Sequence, residues 1–123
     1  MVAPTFDHAS SLGRELVDDS VGKCRRRLLA EGQVERYSER ARGAIFWLAT
    51  DAHAISPLDL VRRGSTLHAD LFRVSLERLQ NLERATLERI VERVPAEWIS
   101  KLAGTFAVEL MCYNLDQLRR IGA

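Results

Sequence analysis

The sequence predicts a mainly α-helical bundle of five to six helices carried behind an extended N-terminal arm. Three observations lead there. Apolar residues recur at spacings of three and four along most of the chain, which is one helix face. Helix-start and helix-stop residues punctuate that pattern at intervals. The last twenty or so residues form one long helical pattern, apolar over most of its circumference, as a helix central to a core must be.

The arm comes first. Val2 to Phe6 combines Pro4 with β-favouring residues, and Ser10-Ser11-Leu12-Gly13 reads as a loop, so residues 1–16 form an extended segment followed by a polar loop. A lone strand leaves its backbone N–H and C=O groups unpaired. Residues 1–16 are therefore expected to be poorly ordered or to pair with another chain. Residues 17–123 make up the helical domain. Val17, Val21, Cys24 and Leu28 share a face that Asp18 or Asp19 can cap, and Gly32 can stop that helix. Val34, Tyr37, Ala41, Ala44, Ile45 and Leu48 suggest a second helix, widened by Phe46 and Trp47 and interrupted by Gly43.

Ser56-Pro57 is a strong start for a short third helix, with Ser at the cap and Pro in the first turn. Gly64-Ser65-Thr66 is expected to end it and open the next, whose apolar residues run from Leu67 to Leu82. Thr86 can cap a helix striped by Leu87, Ile90, Val91 and Val94, which Pro95 stops. Trp98 is expected to fill a groove between helices, with an exposed partner anchor as the alternative. The last helix should start near Ser100 and run to about Ile121. Charges such as Glu35/Glu39, Glu77/Arg78 and Glu88/Arg89/Glu92/Arg93 read as solvated faces carrying helix-spaced pairs.

Bulk composition narrows the function classes. A chain of 123 residues fits one domain and is too short for a two-lobed enzyme. Lys plus Arg is 18 against 17 for Asp plus Glu, so the formal charge of +1 gives neither a nucleic-acid coat nor a polybasic membrane binder. No direct nucleic-acid contact and no membrane are expected. Cys24 and Cys112 lie far apart without a Cys or His at metal spacing, which suits reduced thiols. The first residues carry no basic region followed by an apolar run, so a cytoplasmic location is expected.

Familiar catalytic patterns are sparse. His8, His53 and His68 form no zinc-type pair, and there is no Gly-x-Ser-x-Gly and no Gly-x-x-x-x-Gly-Lys-Ser/Thr loop. Asp51-Ala52-His53-Ala54-Ile55-Ser56 faintly echoes a kinase catalytic loop but lacks its Asn, and reads better as a helix end and cap. Lys23 and Lys101 are placed on helices, away from any phosphate loop. One segment is distinctive. Ala3-Pro4-Thr5-Phe6-Asp7 is an apolar extended run that delivers a single carboxylate into the small polar loop His8-Ala9-Ser10-Ser11. On spacing alone, an Asp beginning a turn explains it. A metal-holding acid at a strand end has the same layout.

Pro4-Thr5-Phe6-Asp7-His8-Ala9-Ser10-Ser11-Leu12-Gly13-Arg14-Glu15-Leu16 resembles the segment that follows the catalytic loop in HipA-like serine/threonine kinases, toxin-type kinases with a protein-kinase-like C-terminal lobe. Glu35-Arg36-Tyr37 with Arg42-Gly43, then Ile90 to Ile99, then Phe106-Ala107-Val108-Glu109-Leu110 with Tyr113-Asn114, are similar in the same order. The resemblance implies a helical C-terminal lobe, with Asp7 as a magnesium ligand. His8, next to it, either stabilises the turn or, in an intact enzyme, touches nucleotide phosphate. Magnesium and ATP are the implied cofactors. The family's glycine-rich loop, nucleotide-pairing lysine and catalytic loop would all lie upstream of Asp7, and only six residues precede it. The resemblance thus implies a truncated or separately encoded C-terminal lobe without phosphotransfer activity alone. It also admits the C-terminal half of a split kinase completed by an upstream polypeptide. A helical interaction module, pairing with an intact kinase or an antitoxin-like protein, is the alternative from another class.

Overall fold

The computed structural model describes residues 11–123. It is a bundle of six helices, with no strand among the described residues: α1 (Arg25–Ala30), α2 (Val34–Glu39), α3 (Pro57–Leu67), α4 (Ala69–Leu79), α5 (Arg84–Glu92) and α6 (Lys101–Gly122). The mainly α bundle expected from the sequence is what forms. The extended run Val2–Phe6, with Asp7 and His8, lies outside the described residues.

The organising element is α6. At 22 residues it is about 33 Å long. Ser100 caps it, its hydroxyl accepting the Ala103 N–H at 3.0 Å. The other five helices all pack on it. Gly104, Phe106, Ala107, Val108, Leu110 and Leu115 are buried along its length. Phe106 is 0% exposed and centres a core with Leu16, Leu28, Val34 and Leu110. The Tyr37 ring meets the Phe106 ring edge to face, with centroids 5.3 Å apart at 80°.

Ser56-Pro57 starts α3 as expected, and the Ser56 hydroxyl accepts the Asp59 N–H at 3.1 Å. Other boundaries differ. Residues 17–23 are not helical, and α1 begins only at Arg25. Asp18 and Asp19 do not cap it. They pair instead with Arg25 at 2.7 Å and Arg26 at 2.9 Å, folding the preceding chain back over the helix start. Backbone bonds from the Arg25 N–H to Val17 O and the Arg26 N–H to Asp18 O fix that return. Lys23 therefore sits in a bend before α1 and not on a helix.

The second helix stops at Glu39, far short of Leu48. Beyond it, the Gly43 N–H bonds to Ile55 O at 3.1 Å and the Ile55 N–H bonds to Ile45 O at 2.8 Å. These bonds close residues 43–55 into a loop, with Ile45, Phe46 and Leu48 exposed. Among the described residues no helix buries their apolar arc, and periodicity alone does not hold a helix there.

Gly64 does not end α3, which continues to Leu67. It is a buried crossing point: a Cβ there would lie 2.7 Å from Phe72 Cζ on α4. The break falls at His68, whose φ of −136° and ψ of 54° leave the helical region. The fifth helix starts at Arg84, with Glu83 in the cap position; Thr86 instead accepts a hydrogen bond from Arg89. Trp98 fills no groove, being 79% exposed.

Candidate functional site

A cleft of about 640 Å³ opens where the first described residues meet the bundle. Ser11, Leu12 and Gly13 form one wall, with Tyr37 and Ser38 of α2, Leu58 and Val61 of α3, and Leu110 and Asn114 of α6 around the rest. Lys23, Arg40 and Arg42 also border it.

Residues 11–16 build their wall as a turn, in the stretch where the sequence reads as loop. Leu12 and Gly13 both have positive φ, 59° and 75°, and the Leu16 N–H bonds to Gly13 O at 3.0 Å. This turn rests on the core, with Leu16 buried. Gly13 is so close to Phe106 that a Cβ would stand 2.6 Å from the ring. Arg25 holds the turn from the other side. Its guanidinium donates to Gly13 O at 3.0 Å and to the Asp18 carboxylate at 2.7 Å, while its buried Nε has no hydrogen-bond partner among the described residues. Packing within the chain holds residues 11–16; the strand for which disorder or a partner is expected, Val2–Phe6, lies outside the described residues.

The polar groups on the cleft are tied to each other. Tyr37 donates its hydroxyl to the Glu15 carboxylate. Lys23 Nζ lies 4.6 Å above the Tyr37 ring, a cation over an aromatic face. Ser38 Oγ donates to Asn114 Oδ1 at 2.5 Å, linking α2 to α6. Just outside, Tyr113 donates to Glu39 at 2.7 Å.

These contacts set the protonation of the site. Burial pushes the Glu15 carboxyl up, but its bonds from Tyr37 and from its own backbone, with Lys23 and Arg25 nearby, outweigh burial and hold it below 4.5. Bonds to Ser100 and then Arg25 hold Asp18 below 3.8, and Arg62 and Ser56 do the same for Asp59. Burial, then the Glu15 hydrogen bond, raises Tyr37; burial and Glu39 push Tyr113 up to about 12.

The sign of the pH dependence follows. A carboxyl with a depressed folded value binds fewer protons folded than unfolded, so its stabilisation is present above its ordinary value of 3.8 or 4.5 and is lost as pH falls through the folded value. A tyrosine with a raised folded value stabilises below its ordinary value of 10.0, and that contribution is lost as pH rises. The urea midpoint is thus expected to hold level through neutrality, fall on acidification towards about pH 3, and fall again above about pH 10. A midpoint unchanged down to about pH 3 contradicts the assignment of these three carboxylates.

Asp51 and His53 do not reach this cleft. They line a separate recess of about 280 Å³ with Trp47, Asp59 and Arg63. Asp51 stabilises a turn there, its carboxylate accepting the Leu48 N–H at 2.9 Å. The Arg63 guanidinium lies 5.5 Å from the centre of the Trp47 ring. Lys101 opens α6 and lines a groove against α5, away from the cleft. Cys24 and Cys112 are free thiols, and burial raises Cys112.

Among the described residues, no group of three or more His, Cys, Asp or Glu side chains could hold a metal ion. The carboxylate on the cleft wall, Glu15, is engaged by Tyr37. No helix among the described residues is long and apolar enough to cross a membrane. Sequence reasoning did not single out Ser38 or Glu15 for a site, and nothing in their local spacing marks them. Their partners lie 76 and 22 residues away, at Asn114 and Tyr37. Comparison of the chain with protein-family models, with curated proteins and with solved structures finds no match.

Proposed function

We propose that this chain is a C-terminal lobe of a HipA-like serine/threonine kinase, truncated or separately encoded, and inactive in phosphotransfer by itself. The observation that carries the reading is convergence. Three of the stretches that resemble the family are far apart in sequence, yet Ser11–Gly13, Tyr37 with Arg42, and Leu110 with Asn114 border one cleft. Asp7 stands four residues up the chain from Ser11 on that rim.

On this reading Asp7 is the magnesium ligand and His8 lies near nucleotide phosphate, in a site whose remaining parts come from elsewhere. Magnesium-bound ATP would supply the transferable phosphoryl group, with the metal neutralising its developing charge. The residues of this chain would floor the site. Arg25 and Phe106 fix the turn that follows Asp7 and His8, and Tyr37–Glu15 and Ser38–Asn114 hold α2 and α6 at its edge. Phosphoryl transfer needs several positioned groups acting together, and a lone metal acid does not provide them. The second form of the proposal is a split enzyme, completed in the cytoplasm by an upstream polypeptide carrying the nucleotide lobe.

Incubating the purified chain with magnesium, ATP and a general acceptor protein tests the claim of inactivity. No phosphate transfer above background is expected. Transfer that disappears in Asp7→Ala overturns it.

The interaction-module alternative, with an intact kinase or an antitoxin-like protein as partner, draws on a specific feature. Ile45, Phe46 and Leu48 stand exposed together on the loop between α2 and α3, and exposed apolar clusters mark contact sites.

A further inference from the structure

The cleft that begins at Ser11 has an apolar floor and a cationic rim. Leu58 and Leu110 are buried along the floor, with Val61 and Leu118 half-buried beside them. The ionisable groups on the lining are Lys23, Arg40 and Arg42 against Glu15. Tyr37 engages Glu15, and Lys23 lies over the Tyr37 ring. Arg42 donates to the backbone carbonyls of Glu39 at 3.0 Å and Ala41 at 2.9 Å. Among the described residues, none of the three cations forms a salt bridge with a carboxylate. An apolar floor with uncompensated positive charge at its edge suits a segment that is apolar and then acidic.

Such a segment leads directly into the cleft wall. Residues 1–10 lie outside the described residues, and Ser11, where they join the structure, stands on the rim. Val2-Ala3-Pro4-Thr5-Phe6 is apolar apart from Thr5 and ends on an aromatic ring, and Asp7 follows it. Five residues of extended chain reach up to about 17 Å, so from Ser11 the Phe6 ring can cross a cleft of about 640 Å³. We propose that the chain's own N-terminal arm occupies this cleft, with the Phe6 ring on the Leu58, Val61 and Leu118 floor and the Asp7 carboxylate at the cationic rim. An arm lying along an open cleft keeps one backbone edge in water, so its N–H and C=O groups need no partner strand. A short tether presents it at an effective concentration on the order of mM, which favours the chain's own arm over that of a second copy. The seat needs only the cleft and the arm, whatever the DNA upstream encodes. On the kinase reading it acts as an autoinhibitory contact: an Asp7 held by arginine is withheld from magnesium, and an upstream lobe must draw the arm out before a metal site can form.

Nuclear Overhauser contacts between the Phe6 ring and methyl groups of the full chain test the proposal. Contacts to the methyls of Leu58, Val61 or Leu118 are expected, in a sample that sediments at 13.9 kDa. Phe6→Ala should remove those contacts and shift the same methyl resonances. Leu87 and Val91 of α5, which do not line the cleft, should keep theirs. Asp7→Arg sets like charges together at the rim and should weaken the Phe6 contacts at least about threefold, whereas Asp7→Glu should retain them. Both positions lie on the arm, and circular dichroism checks that each variant keeps the bundle. A Phe6 ring that touches none of the three methyls overturns the proposal. So does a dimeric mass at the same concentration, which gives the seat to a second copy's arm, and so do contacts undiminished by Asp7→Arg.

Discussion

Phe106→Ala is expected to cost about 3–5 kcal/mol, the range for truncating a large buried aromatic side chain. Among the described residues Phe106 and Cys24 are the large side chains that are fully buried, and Phe106 is the larger. Phe106 is fully buried, touches the turn at Gly13, meets Tyr37 edge to face and shares its cluster with Leu16, Leu28, Val34 and Leu110. These neighbours come from the N-terminal turn and from α1, α2 and α6, so the cavity cannot be closed by moving one element. Against a total stability of about 5–15 kcal/mol for a small domain, the loss is a large part of the whole. Urea unfolding followed by circular dichroism reads it directly, as a midpoint lowered at unchanged slope. A change below about 1 kcal/mol contradicts the central place given to this ring.

Gly13→Ala is expected to be the next most severe change, at about 2–4 kcal/mol from left-handed backbone strain and overpacking together. Gly13 has a φ of 75°, and its added methyl group would stand 2.6 Å from Phe106 Cε1. The ring has little room to move, being fully buried and packed against Tyr37 and the core. The turn must give way instead, breaking the Arg25 bond to Gly13 O. Two readouts separate this from a general loss of packing. The midpoint falls, and amide exchange rises first in residues 11–16 while α5 and the middle of α6 stay protected. Uniform loss of protection contradicts a local origin. On the proposed function the same variant also releases the wall of the cleft, which joins fold to site through one glycine.

Helix existence was legible in the sequence and helix extent was not. The Ser56-Pro57 and Ser100 starts hold because each is a local device, a hydroxyl bonded to an N–H three residues on. Expectations failed where the deciding contact was distant. Asp18 and Asp19 look like caps until Arg25 and Arg26 are seen to claim them. Gly64 looks like a stop until Phe72 is seen to need its missing side chain. Ala41 to Leu48 looks like a helix until Ile45, Phe46 and Leu48 are seen to stand exposed, with no helix among the described residues burying them. The candidate site follows the same rule. Tyr37 and Asn114 were reached by resemblance, but the pairs Tyr37–Glu15 and Ser38–Asn114 join residues that no local pattern connects. Asp7 and His8 lie outside the described residues, so their roles remain within the proposal.

The proposed identity makes one demand outside this chain, and it is the most direct test. The DNA immediately upstream of this gene should encode, intact or decayed, a glycine-rich loop, a nucleotide-pairing lysine and an Asp-x-x-x-x-Asn catalytic loop, in that order. An upstream region with no trace of those three in any frame contradicts the kinase-lobe account.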